Sequence, residues 1–295
     1  SAFEFAAFDT EKDIISYRKP KTENRKPSFK EVSMSLPQRP LGRTGHQATL
    51  LGLGGEGILR TYGHDREAQE MIHAALDAGI RYFESARAYS GSEAYLGQGL
   101  KGRRDEIFLT SKSHGRTYKE AMAHLTITLK NLDTDYLDLW QVHDVRTMEE
   151  AEALGAPGGA LEAFRQAKER GWARFIGVTG HEDPAVLRRA LELYDFDTVL
   201  LPINPAEPHY RSFLPLAAEA LGRGLGVIGM KVLCRGFLMR LQVAQVKDFL
   251  HYALSQPVSL VVAGADDVAQ VRELAAAARD FTPMPPDGQR ALEAA

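Results

Sequence analysis

The chain has 295 residues, a formal net charge of −3 and one cysteine, Cys234. That length suits one large core, and the composition is that of an ordinary globular protein. The charge supplies no global basic field for nucleic acid. A single cysteine excludes a disulfide within the chain and a cysteine-ligated iron–sulfur cluster. No apolar run approaches the roughly 20 residues of a membrane span. The start lacks a charged n-region followed by an apolar h-region, so no membrane partner and a cytoplasmic location are expected.

Residues 1–35 sustain no periodicity. They carry scattered phenylalanines and acids, then turn basic at Arg18-Lys19-Pro20-Lys21 and Arg25-Lys26-Pro27. We expect a partly disordered extension ahead of a domain at 36–295. A partner or anion contact is the alternative, and Phe3, Phe5 and Phe8 could also dock on that domain. Leu36 to Leu51 reads as a hairpin with its turn at Gly42-Arg43-Thr44-Gly45.

Strand then helix follows, repeatedly. Thr49–Gly54 precedes Asp65–Ala78, and Ile80–Glu84 precedes Ser92–Leu100. Glu106–Thr110 precedes Tyr118–Leu132, and Tyr136–Gln141 precedes Gly159–Arg170. Arg174–Val178 precedes Pro184–Tyr194, and Thr198–Pro202 precedes Ser212–Arg223. Gly226–Lys231 precedes Val243–Ser255, and Ser259–Ala263 precedes Asp267–Arg279. The helices space apolar residues by three and four, as in Met71, Ala74, Ala75 and Ala78. Gly79 and Gly171 follow helix ends, and Asp183-Pro184 opens a helix. The strands are short and apolar, as parallel strands covered on both faces should be. Eight such units predict a single (β/α)8 barrel, in which sites sit at the C-terminal ends of strands.

Glu84, Lys112, His143, Thr179, Asn204 and Lys231 all fall at those ends. Tyr89 follows Glu84 closely enough to fold back over it. A phenol beside a lysine, an imidazole and a carboxylate can donate a proton to a carbonyl oxygen, and the lysine charge eases its ionisation. Each residue also has a plainer reading. Glu84 could be a solvated acid, Tyr89 a packing aromatic, and Lys112 and His143 ordinary loop residues. Asp144 reads as solvated or as a cap, and His181 could be a turn residue. Lys231 could form a Schiff base or contact a cofactor's phosphate or ribose. Gly52-Leu53-Gly54-Gly55-Glu56-Gly57 matches a dinucleotide fingerprint, but no helix starts within the glycines as that site requires. A glycine-lined mouth fits better. The histidines are scattered, so no metal site is expected.

Gly79-Ile80-Arg81-Tyr82-Phe83-Glu84-Ser85-Ala86 through Tyr89, with Ser92-Glu93 and Leu96-Gly97, resembles the aldo-keto reductases. So do Lys112 and the run Asp135-Tyr136-Leu137-Asp138-Leu139 leading to His143. The resemblance spans about Leu41 to Phe281. It implies a barrel that reduces an aldehyde or ketone with a nicotinamide cofactor, or runs the reverse oxidation. Tyr89 would be the proton donor and Lys112 the group that lowers its pKa. Glu84 would position Lys112, although the family usually has aspartate there. His143 would orient a small carbonyl substrate.

The resemblance also implies a cofactor-binding set. Gly54 and Gly55 line the mouth, and Thr179 and Gly180 lie near the carboxamide. Met230, Lys231, Val232, Leu233, Arg235 and Gly236 hold the cofactor, with Asp266 and Gln270 at the adenosine end. Met230 stands where many members have a stacking tyrosine, Gly180 lacks a common amide side chain, and Leu200 stands where a glutamine is frequent. Asp266 replaces a basic residue that would meet a 2′-phosphate; its plainer reading is an acid that caps the last helix. NADP is the expected cofactor and NAD the alternative. Only 32 residues separate Lys231 from Gly264, so long substrate loops are not expected there. A Schiff-base lyase and a nicotinamide-binding sensor are the rival functional classes.

Overall fold

The structure, a computed structural model, describes residues 35–209 and 212–295. The sequence readings on residues 1–34 lie outside the described residues.

Strands β1 (Gln38–Pro40) and β2 (Gln47–Thr49) form an antiparallel hairpin. Eight parallel strands then close a barrel: β3 (Leu51–Gly57), β4 (Tyr82–Glu84), β5 (Phe108–Ser113), β6 (Leu137–Val142), β7 (Ala173–Thr179), β8 (Thr198–Pro202), β9 (Gly226–Met230) and β10 (Leu260–Ala265). Each pairs with its neighbour in sequence, and β10 closes onto β3. The outer helices are α1 (Asp65–Asp77), α2 (Ser92–Gly99), α3 (Tyr118–Asn131), α4 (Met148–Ala153), α5 (Ala160–Glu169), α6 (Pro184–Leu193), α7 (Leu214–Gly222), α8 (Phe237–Leu241), α9 (Val246–Leu254), α10 (Val268–Arg279) and α11 (Pro286–Ala294). Among the described residues no helix is long and apolar enough to cross a membrane.

The expected eight units are therefore present, with three additions. Helices α4, α8 and α11 lie outside the one-helix-per-strand repeat. Strand β3 runs on to Gly57, so the glycine-rich run is strand rather than a helix-opening loop. Gly52 leaves room for a neighbour there, since a Cβ on it would lie 2.6 Å from the Tyr82 ring.

Side chains alternate along each strand, and this divides the core in two. Tyr82, Phe108, Leu139, Leu200, Ile228, Leu260 and Val262 fill the barrel, while a larger layer packs between strands and helices. Trp140 belongs to that outer layer, stacked on Phe164 of α5 with ring centroids 3.8 Å apart. The hairpin supplies the floor: Leu41 and Ala48 are buried in the interior cluster. Its turn presses against the chain before β9. Arg43 N donates to Gly224 O at 2.7 Å, and a Cβ on Gly42, at φ 51°, would lie 2.2 Å from Gly226 N. With the floor sealed, the opposite rim is left for chemistry.

Candidate active site

Strand register explains how Glu84 and Lys112 meet. Glu84 pairs with Thr110, and Lys112 stands two residues further along β5, on the same inward face. The two are diagonal neighbours, and both side chains are buried. Lys112 Nζ donates to Glu84 Oε1 at 2.8 Å and to Ser85 O at 3.0 Å. Burial acts to lower the ammonium's pKa. The Glu84 carboxylate and the Tyr89 oxygen oppose it, and the net direction is upward, so Lys112 stays cationic.

The loop from Ser85 to Gly91 brings Tyr89 back over this pair. Ser85 N donates to Thr110 O and Arg87 N to Lys112 O, each at 2.9 Å, which stitches the loop to the end of β5. Tyr89 N then donates to Ala86 O at 2.9 Å, closing the turn. The phenol oxygen ends 3.5 Å from Lys112 Nζ, with the ammonium 4.7 Å from the ring centroid. Burial pushes the phenol up from its ordinary value. Lys112 pulls it back but does not cancel the shift, so Tyr89 is held protonated. Glu93, buried at the start of α2, braces the loop from behind. It pairs with Arg87 and accepts from Ser111 Oγ at 2.9 Å, Thr128 Oγ1 at 2.7 Å and Asn131 Nδ2 at 3.1 Å.

His143 follows β6, its amide donating to Ser113 O at 2.8 Å. Its ring meets Tyr89 edge-on, with centroids 5.7 Å apart. Burial, aided by the Lys112 charge, depresses the imidazole to about 2, so it is neutral. His143 Nδ1 and Glu84 Oε2 are buried without a hydrogen-bond partner among the described residues.

Two cavities share this point. One, of about 560 Å³, is lined by Tyr89, His143 and charged residues from the surrounding loops. The other, of about 580 Å³, runs from Glu84 and Tyr89 past Met230 and Val262 to Asp266 and Gln270. Nine of the residues expected to hold a cofactor line the second cavity: Gly54, Met230, Lys231, Val232, Leu233, Arg235, Gly236, Asp266 and Gln270. The remaining three lie off it. Gly55 packs against α2, where a Cβ would lie 2.3 Å from Ser92 Oγ. Thr179 is buried, and its hydroxyl accepts from Asp144 N at 2.8 Å. A Cβ on Gly180 would lie 2.9 Å from Leu187, so this glycine seats α6. Asn204 turns its side chain to the backbone, accepting from Ala206 N at 3.0 Å and donating to Lys231 O at 3.2 Å.

Sequence reasoning missed the charged rim of the first cavity: Glu56, Arg60, His114, Arg116, Arg146 and Glu150. Most of these residues lie a few positions past a strand end, which was the available signal. Asp144 belongs to this rim too, paired with Arg146 at 2.6 Å.

The model of the aldo/keto reductase family matches residues 50–249. Aldo-keto reductase YhdN of Bacillus subtilis is 29% identical over 220 residues, and the match covers 66% of this chain and 61% of that protein. Among solved structures, aldo-keto reductase AKR11C1 from Bacillus halodurans in its holo form superposes with a TM-score of 0.73 at 22% identity, covering 88% of this chain and 96% of that one. An aldo-keto reductase from Klebsiella pneumoniae in complex with NADPH superposes with a TM-score of 0.71 at 18% identity, covering 88% and 95%.

Proposed function

The chain belongs to the aldo/keto reductase family, and on that premise we propose that it interconverts an aldehyde or ketone with its alcohol, using Glu84, Tyr89, Lys112 and His143 as a catalytic tetrad. The observation that carries this reading is Lys112 Nζ, set 2.8 Å from Glu84 Oε1 and 3.5 Å from Tyr89 Oη where two cavities meet. One cavity suits a cofactor and the other a substrate.

The longer cavity fits a dinucleotide. Met230, Val232, Leu233 and Val262 give it apolar surface, Gly54 and Gly264 leave backbone exposed to a flat ligand, and the unpartnered Glu84 Oε2 can accept a hydroxyl proton. Methionine packs on a ring face through its sulfur, more loosely than a tyrosine stacks. Gly54, Met230, Val232, Leu233, Arg235, Gly236, Asp266 and Gln270 would hold the group, which supplies or accepts the hydride when bound. We take it to be NADPH, as in the Klebsiella pneumoniae complex, with NADH as the alternative.

Tyr89 gives its proton to the carbonyl oxygen as reduction proceeds. A buried, protonated phenol is the right starting form for an acid, and the fixed charge of Lys112 stabilises the phenolate it becomes. Glu84 keeps that charge in place. Neutral His143 offers a hydrogen bond to the same oxygen without competing for its proton. Holding both reactants in one cleft converts a bimolecular encounter into a positioned one. A Schiff base on Lys112 needs a neutral amine, which the Glu84 pairing opposes.

The test is direct. The purified protein with NADPH and a panel of aldehydes should consume the reduced cofactor in proportion to alcohol formed. Tight cofactor binding with no turnover across the panel would instead favour a sensor.

A further inference from the structure

Building on the oxidoreductase reading, we propose that the substrate is a small carbonyl compound bearing a carboxylate, and that Lys231 receives that carboxylate.

The tetrad-side cavity is lined by five cations (Arg60, Arg116, Arg146, Lys231, Arg235) and four carboxylates (Glu56, Asp144, Glu150, Glu182). The carboxylates are already spoken for. Arg60 holds Glu56 at 3.0 Å, Arg116 holds Glu150 at 3.0 Å, and Arg146 holds Asp144 at 2.6 Å with Glu182 at 4.0 Å. Arg235 reaches the occupied Glu56 only at 3.8 Å. That matching leaves Lys231 over: among the described residues its ammonium makes no ion pair or hydrogen bond. Glu207 feels the Lys231 charge but does not contact it.

The backbone supports a function for this lysine. Lys231 has φ 56°, a left-handed conformation that costs a non-glycine residue energy. It is pinned there through its carbonyl, which accepts from Asn204 Nδ2 at 3.2 Å and Cys234 N at 2.9 Å. Asp144 and Arg235, at φ 57° and 55°, line the same cavity. Three of the six non-glycine residues with positive φ among the described residues therefore line this mouth.

The lining decides the class of substrate. An apolar carbonyl compound would strip water from these groups and return nothing. With its histidines neutral, the cavity has one cation in excess, which a monoanion balances and a phosphate dianion overshoots. Lys231 also lines the cofactor-side cavity, so a cofactor phosphate is the competing claimant on its charge.

The experiment compares 4-oxobutanoate and 5-oxopentanoate with their methyl esters, in wild type, Lys231→Met and Lys231→Arg. The readout is the acid-to-ester ratio of kcat/KM, with cofactor affinity titrated separately. We expect wild type to favour the acids by roughly 10-fold or more, the scale of one hydrogen bond to a charged group. Lys231→Met should bring the ratio to about one, and Lys231→Arg should keep most of it. A ratio near one in wild type, or one that survives Lys231→Met while cofactor affinity falls, overturns the assignment and leaves the reductase reading standing. Absence of turnover with acids, esters and a neutral aldehyde panel alike overturns both.

Discussion

Lys112 and Glu84 are joined at 2.8 Å across neighbouring barrel strands, with both side chains at most 5% exposed. Removing one member of a buried pair leaves the other as an uncompensated charge. That costs about 3–5 kcal/mol, whereas replacing both members is far milder. Glu84→Ala should therefore unfold at much lower denaturant than wild type, and Glu84→Gln combined with Lys112→Met should recover most of the loss. Glu84→Asp retracts the carboxylate by one methylene from a lysine two residues diagonal to it, so its penalty should be intermediate. Denaturant melts of the four proteins decide this, and a Glu84→Ala melt matching wild type would mean that Lys112 is neutralised some other way.

Tyr89→Phe tests the proton donor. The ring stays, and with it the edge contact to His143 and the contact with the Lys112 ammonium. The hydroxyl goes. Turnover of carbonyl compounds should fall by about 10²-fold or more, the scale of general acid catalysis, while cofactor affinity measured by fluorescence changes little. A variant that reduces aldehydes at a near-normal rate rules Tyr89 out as the acid.

His143 predicts an acid-sensitive fold. Burial holds its pKa at about 2, below its value of about 6.5 when unfolded. Between those limits the unfolded chain takes up a proton that the native site refuses. The stability contribution is complete above pH 6.5 and is lost as pH falls, by up to about 1.4 kcal/mol for each pH unit. Replacing His143 with Asn should flatten this part of the stability–pH curve. Melts from pH 7 to pH 5 on both proteins give the comparison, and parallel curves would show that the imidazole titrates normally.

Much of this could be read before folding because the barrel repeats. Each strand–helix unit buries an apolar strand and one helix face, so its periodicity is local, and Glu84, Lys112 and His143 inherit positions from their strands. Helix α4 had a legible start, with Thr147 accepting from Glu150 N at 3.1 Å as an N-cap. It went unread because the repeat leaves no slot for a second helix after β6. The charged rim had no linear pattern to read. Arg60 reaches Glu56 across a single turn, but Arg116 meets Glu150 only because β5 and β6 are neighbours in a closed sheet. Two glycines have a packing role that no linear pattern announces. Gly55 and Gly180 suit a cofactor mouth by position, yet their missing side chains make room for Ser92 and Leu187.

On the proposed reading, Asp266 is the residue that sets how the adenosine end discriminates between cofactors. The sequence left it either a helix cap or a repulsive group facing a 2′-phosphate. The cap of α10 is its neighbour: Asp267 accepts from Gln270 N at 2.8 Å, whereas Asp266 offers its backbone N–H to Gln270 Oε1 at 2.9 Å. Its carboxylate lines the cofactor-side cavity near Gly57, where a Cβ would lie 2.9 Å from Oδ1. Asp266→Arg should therefore spare the cap and cost little stability. A guanidinium there replaces repulsion with a charge-assisted contact, so NADPH affinity should rise by about 10-fold or more relative to NADH. Arg235 lines the same cavity and gives wild type some compensating charge, which is why weak discrimination between the two cofactors is expected before the change. Fluorescence titration of both cofactors into both proteins measures the ratio. A ratio unmoved by Asp266→Arg would place the 2′-phosphate away from this turn and return the choice of cofactor to Arg235.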